Sequence, residues 1–332
     1  MKKFKTTWIL AGVLLVLAAY VYWGEVKGSK KREAQKEKEE KVLVFEKGKV
    51  ESVTLLSSQG KFQAKRSGEK EWILESPLKV PADKLAWNNI VDSIYDLKFN
   101  RVISEKSEDL VPYGLKDAKV KVEMTIAGEK EKKVVYLGDE NPVGDSLFAT
   151  VGNSQKVILV PQTISSVFDK GLKDLREKKL FTFDQDKAQE IEVSEAKGKK
   201  LVLKKEKEKW FIASSAKKEE ADSGKVSEIL NTLNFLEVSN FIEEDPKDLA
   251  KYELKNPQLK VTLRDDKKAQ LQLLIGKKEN NGIYISKAAE KPVYQVNTYI
   301  LDRISTDTTK LIKKEEKKEQ VAVPHDHAHD KK

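Results

Sequence analysis

The apolar and polar positions of this sequence repeat: the pattern of residues 42–179 returns, in the same order, in residues 180–312. Each copy opens with segments in which apolar and polar residues alternate, and continues through one amphipathic segment and further alternating segments. It closes with a second amphipathic segment. Trp72 and Trp210 hold matching places, 138 positions apart. So many agreements in one order indicate an internal duplication.

A helix is predicted after each copy of an Ala-Asp pair, Ala82-Asp83 and Ala221-Asp222. Apolar residues there are separated by 3, 1, 3 and 3 positions, which places all five on one helical face. They are Trp87, Ile90, Val91, Ile94 and Leu97 in the first copy, and Val226, Ile229, Leu230, Leu233 and Leu236 in the second. A closing helix is predicted over residues 164–175, with a weaker counterpart over 300–311.

The other segments alternate apolar and polar residues with a period of two, as half-buried strands do. Val53 and Leu55 show this in the first copy. Strands joined by short turns, with one inserted helix, predict an antiparallel sheet with helices packed on one face. The sequence therefore predicts an α+β fold of two tandem repeats, repeat domain 1 over residues 42–179 and repeat domain 2 over residues 180–312.

A different pattern precedes the repeats, because residues 6–23 contain no charge. As a helix this stretch spans about 27 Å, close to the bilayer hydrocarbon core of about 30 Å. Trp8 and Trp23 stand near its ends, as interfacial aromatic residues do. A cleaved signal peptide is the alternative, but the apolar stretch is long and lacks a small-residue cleavage site. We therefore expect one retained transmembrane helix.

The flanking segments predict how the chain is placed. Residues 1–5 form a short cytoplasmic start and residues 24–41 a charged stalk, while residues 313–332 form a disordered tail with histidines. A short start before a long hydrophilic region is typical of a signal anchor, since long regions translocate largely regardless of charge. The expected location is the inner (cytoplasmic) membrane, crossed once, with the bulk of the chain periplasmic or extracytoplasmic.

The net charge of +9 invites a nucleic-acid function, but its distribution argues against one. Residues 1–41 and 310–332 contain 17 of the 63 basic and ten of the 54 acidic residues. Residues 42–309 therefore hold 46 basic and 44 acidic residues, interleaved throughout. Nucleic-acid binding needs a one-sided basic face or a recognition motif, and the sequence contains neither. No nucleic-acid partner is expected.

Catalytic residues are not singled out by any motif. The chain has no cysteine and no glycine-rich phosphate-binding motif, and all three histidines lie in the last eight residues. Ser-x-x-Lys pairs such as Ser58 with Lys61 are expected by chance in so lysine-rich a chain. Acidic residues are too numerous for their pairs to indicate one hydrolase site. We predict no catalytic residue and no cofactor.

A candidate metal site lies in the tail, where His325, His327 and His329 alternate with other residues. Such histidines can bind Zn²⁺, Ni²⁺ or Cu²⁺ as a loose chelate. A solvated tail with incidental metal affinity is the plainer interpretation, because nothing in the segment sets a coordination geometry.

Two repeated motifs have a structural and a functional interpretation. Trp72 and Trp210 are suited to stacking on a sugar or peptide, but matching places in both copies favour core residues. The Tyr113-Gly114-Leu115 element is suited to a binding loop. The second copy has Glu253 in place of Gly114, so we expect a structural turn that does not require a positive φ in both copies.

In the order of these motifs the chain resembles the bacterial domain-of-unknown-function family 4340, present twice over about residues 42–312. The resemblance is carried by Lys178-Lys179-Leu180-Phe181-Thr182-Phe183-Asp184, Trp210 with Ala221-Asp222, Asp248-Leu249-x-x-Tyr252-x-Leu254-x-x-Pro257, and Ile275-Gly276 followed by Gly282-Ile283-Tyr284. The first copy shows the same series, and Glu253 departs from the family's Tyr-Gly-Leu.

The resemblance implies a protein anchored by one amino-terminal helix, without an assigned activity, and often encoded beside ABC-2-type permeases and gliding-motility-type auxiliary proteins. We therefore expect a non-enzymatic, membrane-anchored envelope protein that is an accessory or assembly subunit of an ABC-type (gliding-motility-like) transport system. Its expected partners are the permease and auxiliary subunits. A glycan or peptidoglycan binding module is the alternative, a hydrolase of unknown type is the third, and the oligomeric state stays open.

Overall fold

The computed structural model describes residues 2–22, 40–68, 71–214 and 219–312. The chain divides into two compact units, of which the first ends at Glu177 and the second begins at Lys178. We call them unit 1 and unit 2. The predicted charged stalk lies outside the described residues except for its last two, and the predicted tail lies wholly outside them.

Helix α1 (Lys2–Val21) opens the chain, and its described side chains are exposed, Trp8 at 77% and Leu15 at 70%. Three lysines lie among its first four residues, so the uncharged part of the helix is 16 residues long, about 24 Å. Within the described residues, no helix is long and apolar enough to cross a membrane. The transmembrane prediction for residues 6–23 is therefore not supported.

Nine strands of unit 1 form one antiparallel sheet. They are β1 (Val50–Ser57), β2 (Gly60–Ser67), β3 (Glu71–Ser76), β4 (Val80–Pro81), β5 (Arg101–Ser104), β6 (Val120–Ile126), β7 (Lys133–Glu140), β8 (Ser146–Val151) and β9 (Val157–Pro161). Their order across the sheet is β4-β3-β2-β1-β6-β7-β8-β9-β5. The predicted alternation is confirmed on β1, where Val53 and Leu55 are fully buried.

Helix α2 (Lys84–Asp96) packs on one face of this sheet. It buries Trp87, Ile90, Val91 and Ile94 in the same apolar cluster as the inward side chains of β1. The predicted helical face is thus confirmed, and the core of unit 1 lies between α2 and the sheet.

Unit 2 repeats this arrangement. Its strands are β10 (Ala188–Glu195), β11 (Lys200–Glu206), β12 (Lys209–Ile212), β13 (Glu219–Glu220), β14 (Asn240–Glu243), β15 (Leu259–Asp265), β16 (Gln270–Glu279), β17 (Gly282–Lys287) and β18 (Val293–Asn297). They form an antiparallel sheet in the equivalent order, β13-β12-β11-β10-β15-β16-β17-β18-β14. The helix between β13 and β14 is α5 (Ser223–Asn234), numbered after two short helices of unit 1, and it buries Val226, Ile229 and Leu230.

The closing segments differ from the prediction of one helix in each copy. Unit 1 has two four-residue helices, α3 (Ser165–Phe168) and α4 (Leu172–Leu175), and unit 2 has one, α6 (Ile300–Arg303). The two helices of unit 1 are separated because Asp169 leaves the helical conformation, with ψ 67°, and Gly171 is extended, with φ −98° and ψ 175°. The α+β class is therefore correct only in part: both units are mainly β, with a few helices.

Candidate functional site

The repeated Ala-Asp pairs are structural. The side chain of Asp83 accepts a hydrogen bond from the amide of Ala86 (2.9 Å) and so caps α2, while its own amide donates to the carbonyl of Leu175 (3.0 Å). In unit 2, Asp222 caps α5, and its amide donates to the carbonyl of Leu311 (2.7 Å). Each aspartate joins its helix to the closing segment.

The repeated tryptophans are core residues, as their placement predicted. Trp72 is 1% exposed and Trp210 is 7% exposed. The indole of Trp72 donates to the side chain of Asn88 (2.9 Å), and its ring centroid lies 6.2 Å from that of Trp87. A buried indole with a hydrogen-bond partner offers no surface to an external ligand.

The residue after the repeated tyrosine is left-handed in both units. Gly114 has φ 65°, and Glu253 has φ 56°. The expectation that this position does not need a positive φ in both copies is therefore wrong. The turn ends a three-residue 3₁₀ segment, and the following leucine, Leu115 or Leu254, is buried. Because L-residues pay about 1–2 kcal/mol for this conformation, the surrounding turn holds Glu253 in it.

The repeated strand glycines lie directly against these turns. A Cβ on Gly138 would lie 2.0 Å from the carbonyl oxygen of Tyr113, and one on Gly276 would lie 2.0 Å from that of Tyr252. Only glycine leaves room for this backbone approach. The Leu137-Gly138 and Ile275-Gly276 motifs are thus explained by packing rather than by ligand binding.

Unit 2 carries a polar group that we call the tyrosine cluster: Glu243, Lys251, Tyr252, Glu279 and Tyr284. The hydroxyl of Tyr252 and the ammonium of Lys251 each donate to Glu243 at 2.7 Å. The hydroxyl of Tyr284 donates to Glu279. The two tyrosine rings meet edge to face, with centroids 4.9 Å apart.

Hydrogen bonding and burial move the pKa values of the carboxyls and phenols in the tyrosine cluster further from neutrality. The bonds from Lys251 and Tyr252 lower the pKa of Glu243. The bond to Glu279, together with burial, raises the pKa of Tyr284 to about 12. At neutral pH the carboxylates are ionised and the phenols are protonated. Neither kind of group titrates near neutrality, as an acid–base catalyst would.

The same place in unit 1 holds different side chains. Tyr113 packs on Phe148, with centroids 5.0 Å apart. Glu243 pairs with the first residue of β18, and Ser104 pairs with the first residue of β9, the equivalent strand. Ser104 therefore occupies in unit 1 the position that Glu243 has in unit 2. The neighbouring Val111 is 55% exposed. The two units therefore differ in chemistry at one shared site.

A second feature of unit 2 is an open cavity of about 900 Å³ between α5 and residues 299–312, which we call the C-terminal cleft. It is lined by Asp222, Lys225, Glu228, Ile229, Tyr299, Asp302, Arg303, Ser305, Thr309, Lys310, Leu311 and Ile312. Glu228 accepts from Lys225 (2.9 Å) and from Arg303 (3.1 Å). These two cations lower the pKa of Glu228, so its carboxylate is ionised at neutral pH.

With this geometry established, the family model named Domain of unknown function (DUF4340) matches residues 72–246 and 215–321. The chain belongs to the DUF4340 family. The two matches overlap and together include the repeated tryptophan and the tyrosine turn of each unit. No curated protein and no solved structure matches the chain.

No metal centre of this DUF4340 protein is placed within the described ranges, where no group of three or more His, Cys, Asp or Glu side chains is arranged to hold an ion. His325, His327 and His329 lie outside those ranges, so their predicted chelate is not located.

Sequence patterns did not reveal the tyrosine cluster or the C-terminal cleft. A signal was present for the cluster, because Glu243 and Tyr284 stand where the first copy has Ser104 and Phe148. Differences between the copies, rather than their shared motifs, indicate where unit 2 could acquire its own function.

Proposed function

We propose that this DUF4340 protein is a non-enzymatic accessory or assembly subunit of an ABC-type transport system in the cell envelope. In this proposal α1 anchors the chain to the inner membrane, and units 1 and 2 lie on the extracytoplasmic side. The observation that carries the proposal is an exposed apolar helix joined to two β units whose repeated motifs serve packing.

The surface of α1 supports attachment to a membrane. Its exposed side chains are large and apolar, with Leu14 at 69%, Val16 at 70% and Tyr20 at 77% exposed. An apolar surface of this extent is typical of contact with lipid or with another protein. The folded units are nearly neutral and are joined to this helix in one chain, as expected of a tethered interaction module.

The chemistry of unit 2 supports a function without catalysis. In the tyrosine cluster, Glu243 and Glu279 stay ionised while Tyr252 and Tyr284 stay protonated near neutral pH. A general acid or base works best when its pKa lies near the working pH. These side chains hold the turn and the sheet together instead.

Co-purification tests the transporter proposal. The full-length chain is isolated in mild detergent, and the expected companions are a permease or its ATPase, identified by mass spectrometry. Membrane attachment through α1 is tested separately, by measuring how much protein stays in the membrane fraction. Leu15→Lys places a charge in the apolar surface of α1 and is expected to release the protein from membranes. Leu85→Lys is the matched control, because Leu85 is 79% exposed on α2. Retention of Leu15→Lys in the membrane fraction would contradict the anchoring role of α1.

Topology is tested by reporter fusions placed after residue 40 and at the end of the chain. The proposal requires both reporters to show an extracytoplasmic signal. A cytoplasmic signal from the full-length fusion would reverse the proposed orientation.

The C-terminal cleft favours a second candidate, a glycan or peptidoglycan binding module. Its volume of about 900 Å³ lies within the range of ligand pockets, roughly 300–1,000 Å³. Retention of the protein on purified cell-wall sacculi, without a permease in the detergent preparation, would favour this candidate over the first.

A further inference from the structure

The C-terminal cleft has the dimensions of a ligand site. Its volume of about 900 Å³ lies within the roughly 300–1,000 Å³ of small-molecule pockets. Lys225 and Glu228 line one wall, three residues apart on α5 and so on one helical face. Residues 299–312 form the other wall.

The charges around the cleft cancel. The acidic lining residues are Asp222, Glu228 and Asp302, and the basic ones are Lys225, Arg303 and Lys310. Glu228 is already held by two of these cations. A phosphate or a metal ion gains no net attraction from such a lining, because charges of both signs surround it. The lining instead fits an uncharged ligand rich in hydrogen-bonding groups.

Tyr299 and Asp302 present the polar groups that such a ligand needs. They are three residues apart, at the start of α6 and within it, and both line the cleft. Tyr299 is 41% exposed. Within the described residues neither side chain makes a hydrogen bond or an ion pair. The ring offers a flat apolar face, and the carboxylate offers acceptor oxygens beside it.

We propose that the C-terminal cleft binds a neutral oligosaccharide. A sugar ring has one face of C–H groups, which stacks on Tyr299, and edge hydroxyls, which donate to Asp302. The ammonium of Lys225 and the guanidinium of Arg303 donate to further hydroxyl and ring oxygens. This inference rests on the second candidate function and specifies its ligand class and residues.

The proposal is tested by calorimetry, which measures the binding of chitotetraose to the full-length chain. Chitotetraose is the neutral tetramer of N-acetylglucosamine. The detergent is a polyoxyethylene, because sugar-headed detergents would compete for the cleft. Tyr299→Ala is expected to weaken binding by about tenfold through the loss of stacking. Tyr299→Phe keeps the ring and is expected to bind like the parent chain, and Asp302→Ala is expected to weaken binding.

Phe235→Ala is the matched control, since Phe235 is an aromatic residue of unit 2, 65% exposed and outside the cleft. Its affinity for chitotetraose is expected to stay unchanged. The proposal is overturned if chitotetraose does not bind, if Tyr299→Ala binds as well as Phe235→Ala, or if a neutral tetrapeptide binds equally well. Permease co-purification is measured separately with Tyr299→Ala, so loss of sugar binding and loss of the transporter partner are distinguishable.

Discussion

Units 1 and 2 share a strand order and a set of buried motifs, yet they differ at the tyrosine turn and in the closing segment. At the turn, unit 1 has Pro112 and Ser104 where unit 2 has Lys251 paired with Glu243. In the closing segment, unit 1 has two short helices and unit 2 has one beside an open cleft. The shared positions maintain the fold, and the differing positions give each unit its own surface.

The closing segments allow the most severe test. Phe168 of unit 1 and Ile304 of unit 2 are both fully buried. Phe168→Ala is expected to lower the free energy of unfolding by about 3–5 kcal/mol, and Ile304→Ala by about 2–5 kcal/mol, because each leaves a cavity. Urea unfolding monitored by circular dichroism measures both. Leu85→Ala, at a residue of α2 that is 79% exposed, is the control and should change stability by less than about 0.5 kcal/mol.

The strand glycines test whether the two turns are built alike. Gly138→Ala and Gly276→Ala each place a Cβ 2.0 Å from a backbone carbonyl oxygen. Both are expected to destabilise the protein by about 1–3 kcal/mol or more, since backbone must shift. Gly48→Ala serves as the control, because a Cβ there meets nothing within 4 Å. A difference in thermal midpoint between the two strand variants would show that the turns are not equivalent.

Exchanging the left-handed residues is expected to give effects of opposite sign. Glu253→Gly should raise stability by up to about 1 kcal/mol, since glycine accepts a positive φ without the penalty that Glu253 bears. Gly114→Glu should lower it by about 1–2 kcal/mol through that same penalty. A steric clash should add to this conformational penalty, because a Cβ on Gly114 would lie 2.5 Å from the Asp139 carboxylate. Equal effects of the two changes, measured by urea unfolding, would contradict this account.

The tyrosine cluster adds an acid-sensitive hydrogen bond to unit 2, between Tyr284 and Glu279. Hydrogen bonds from Tyr284 and Lys277 lower the pKa of Glu279 in the folded state. A carboxyl with a lowered pKa stabilises the fold above its unfolded pKa of about 4.3, and this stabilisation is lost as the pH falls through the folded value. Tyr284→Phe should therefore flatten the fall in stability between about pH 5 and pH 3.

Tyr113→Phe is the control for that measurement in unit 1. Within the described residues the Tyr113 hydroxyl makes no hydrogen bond to a carboxylate. Its removal should leave the slope of stability against pH unchanged, as followed by urea unfolding at each pH. An equal flattening in both variants would remove the proposed difference between the units.

Much of the fold followed from the pattern of apolar residues, for identifiable reasons. Val53 and Leu55 alternate because a strand presents side chains to opposite faces, and Trp87 and Ile90 lie on one face because a helix has 3.6 residues per turn. The closing helix was predicted too long, because the spacing of apolar residues does not show that the backbone leaves the helical conformation at Asp169 and Gly171. The left-handed Glu253 was missed because its side chain carries no sign of the backbone conformation imposed on it.

The amino-acid sequence by itself determined the duplication, the near-zero net charge of residues 42–309, the two amphipathic helices and the strands of alternating apolar and polar residues. These features depend on local periodicity and on composition, which the order of residues states directly. The tertiary structure alone decided which tyrosine meets which glutamate, that Gly138 lies against a carbonyl, and that a cleft opens beside α6. Such features depend on distances between residues in different helices, strands and turns, and these distances exist only once the sheet has formed.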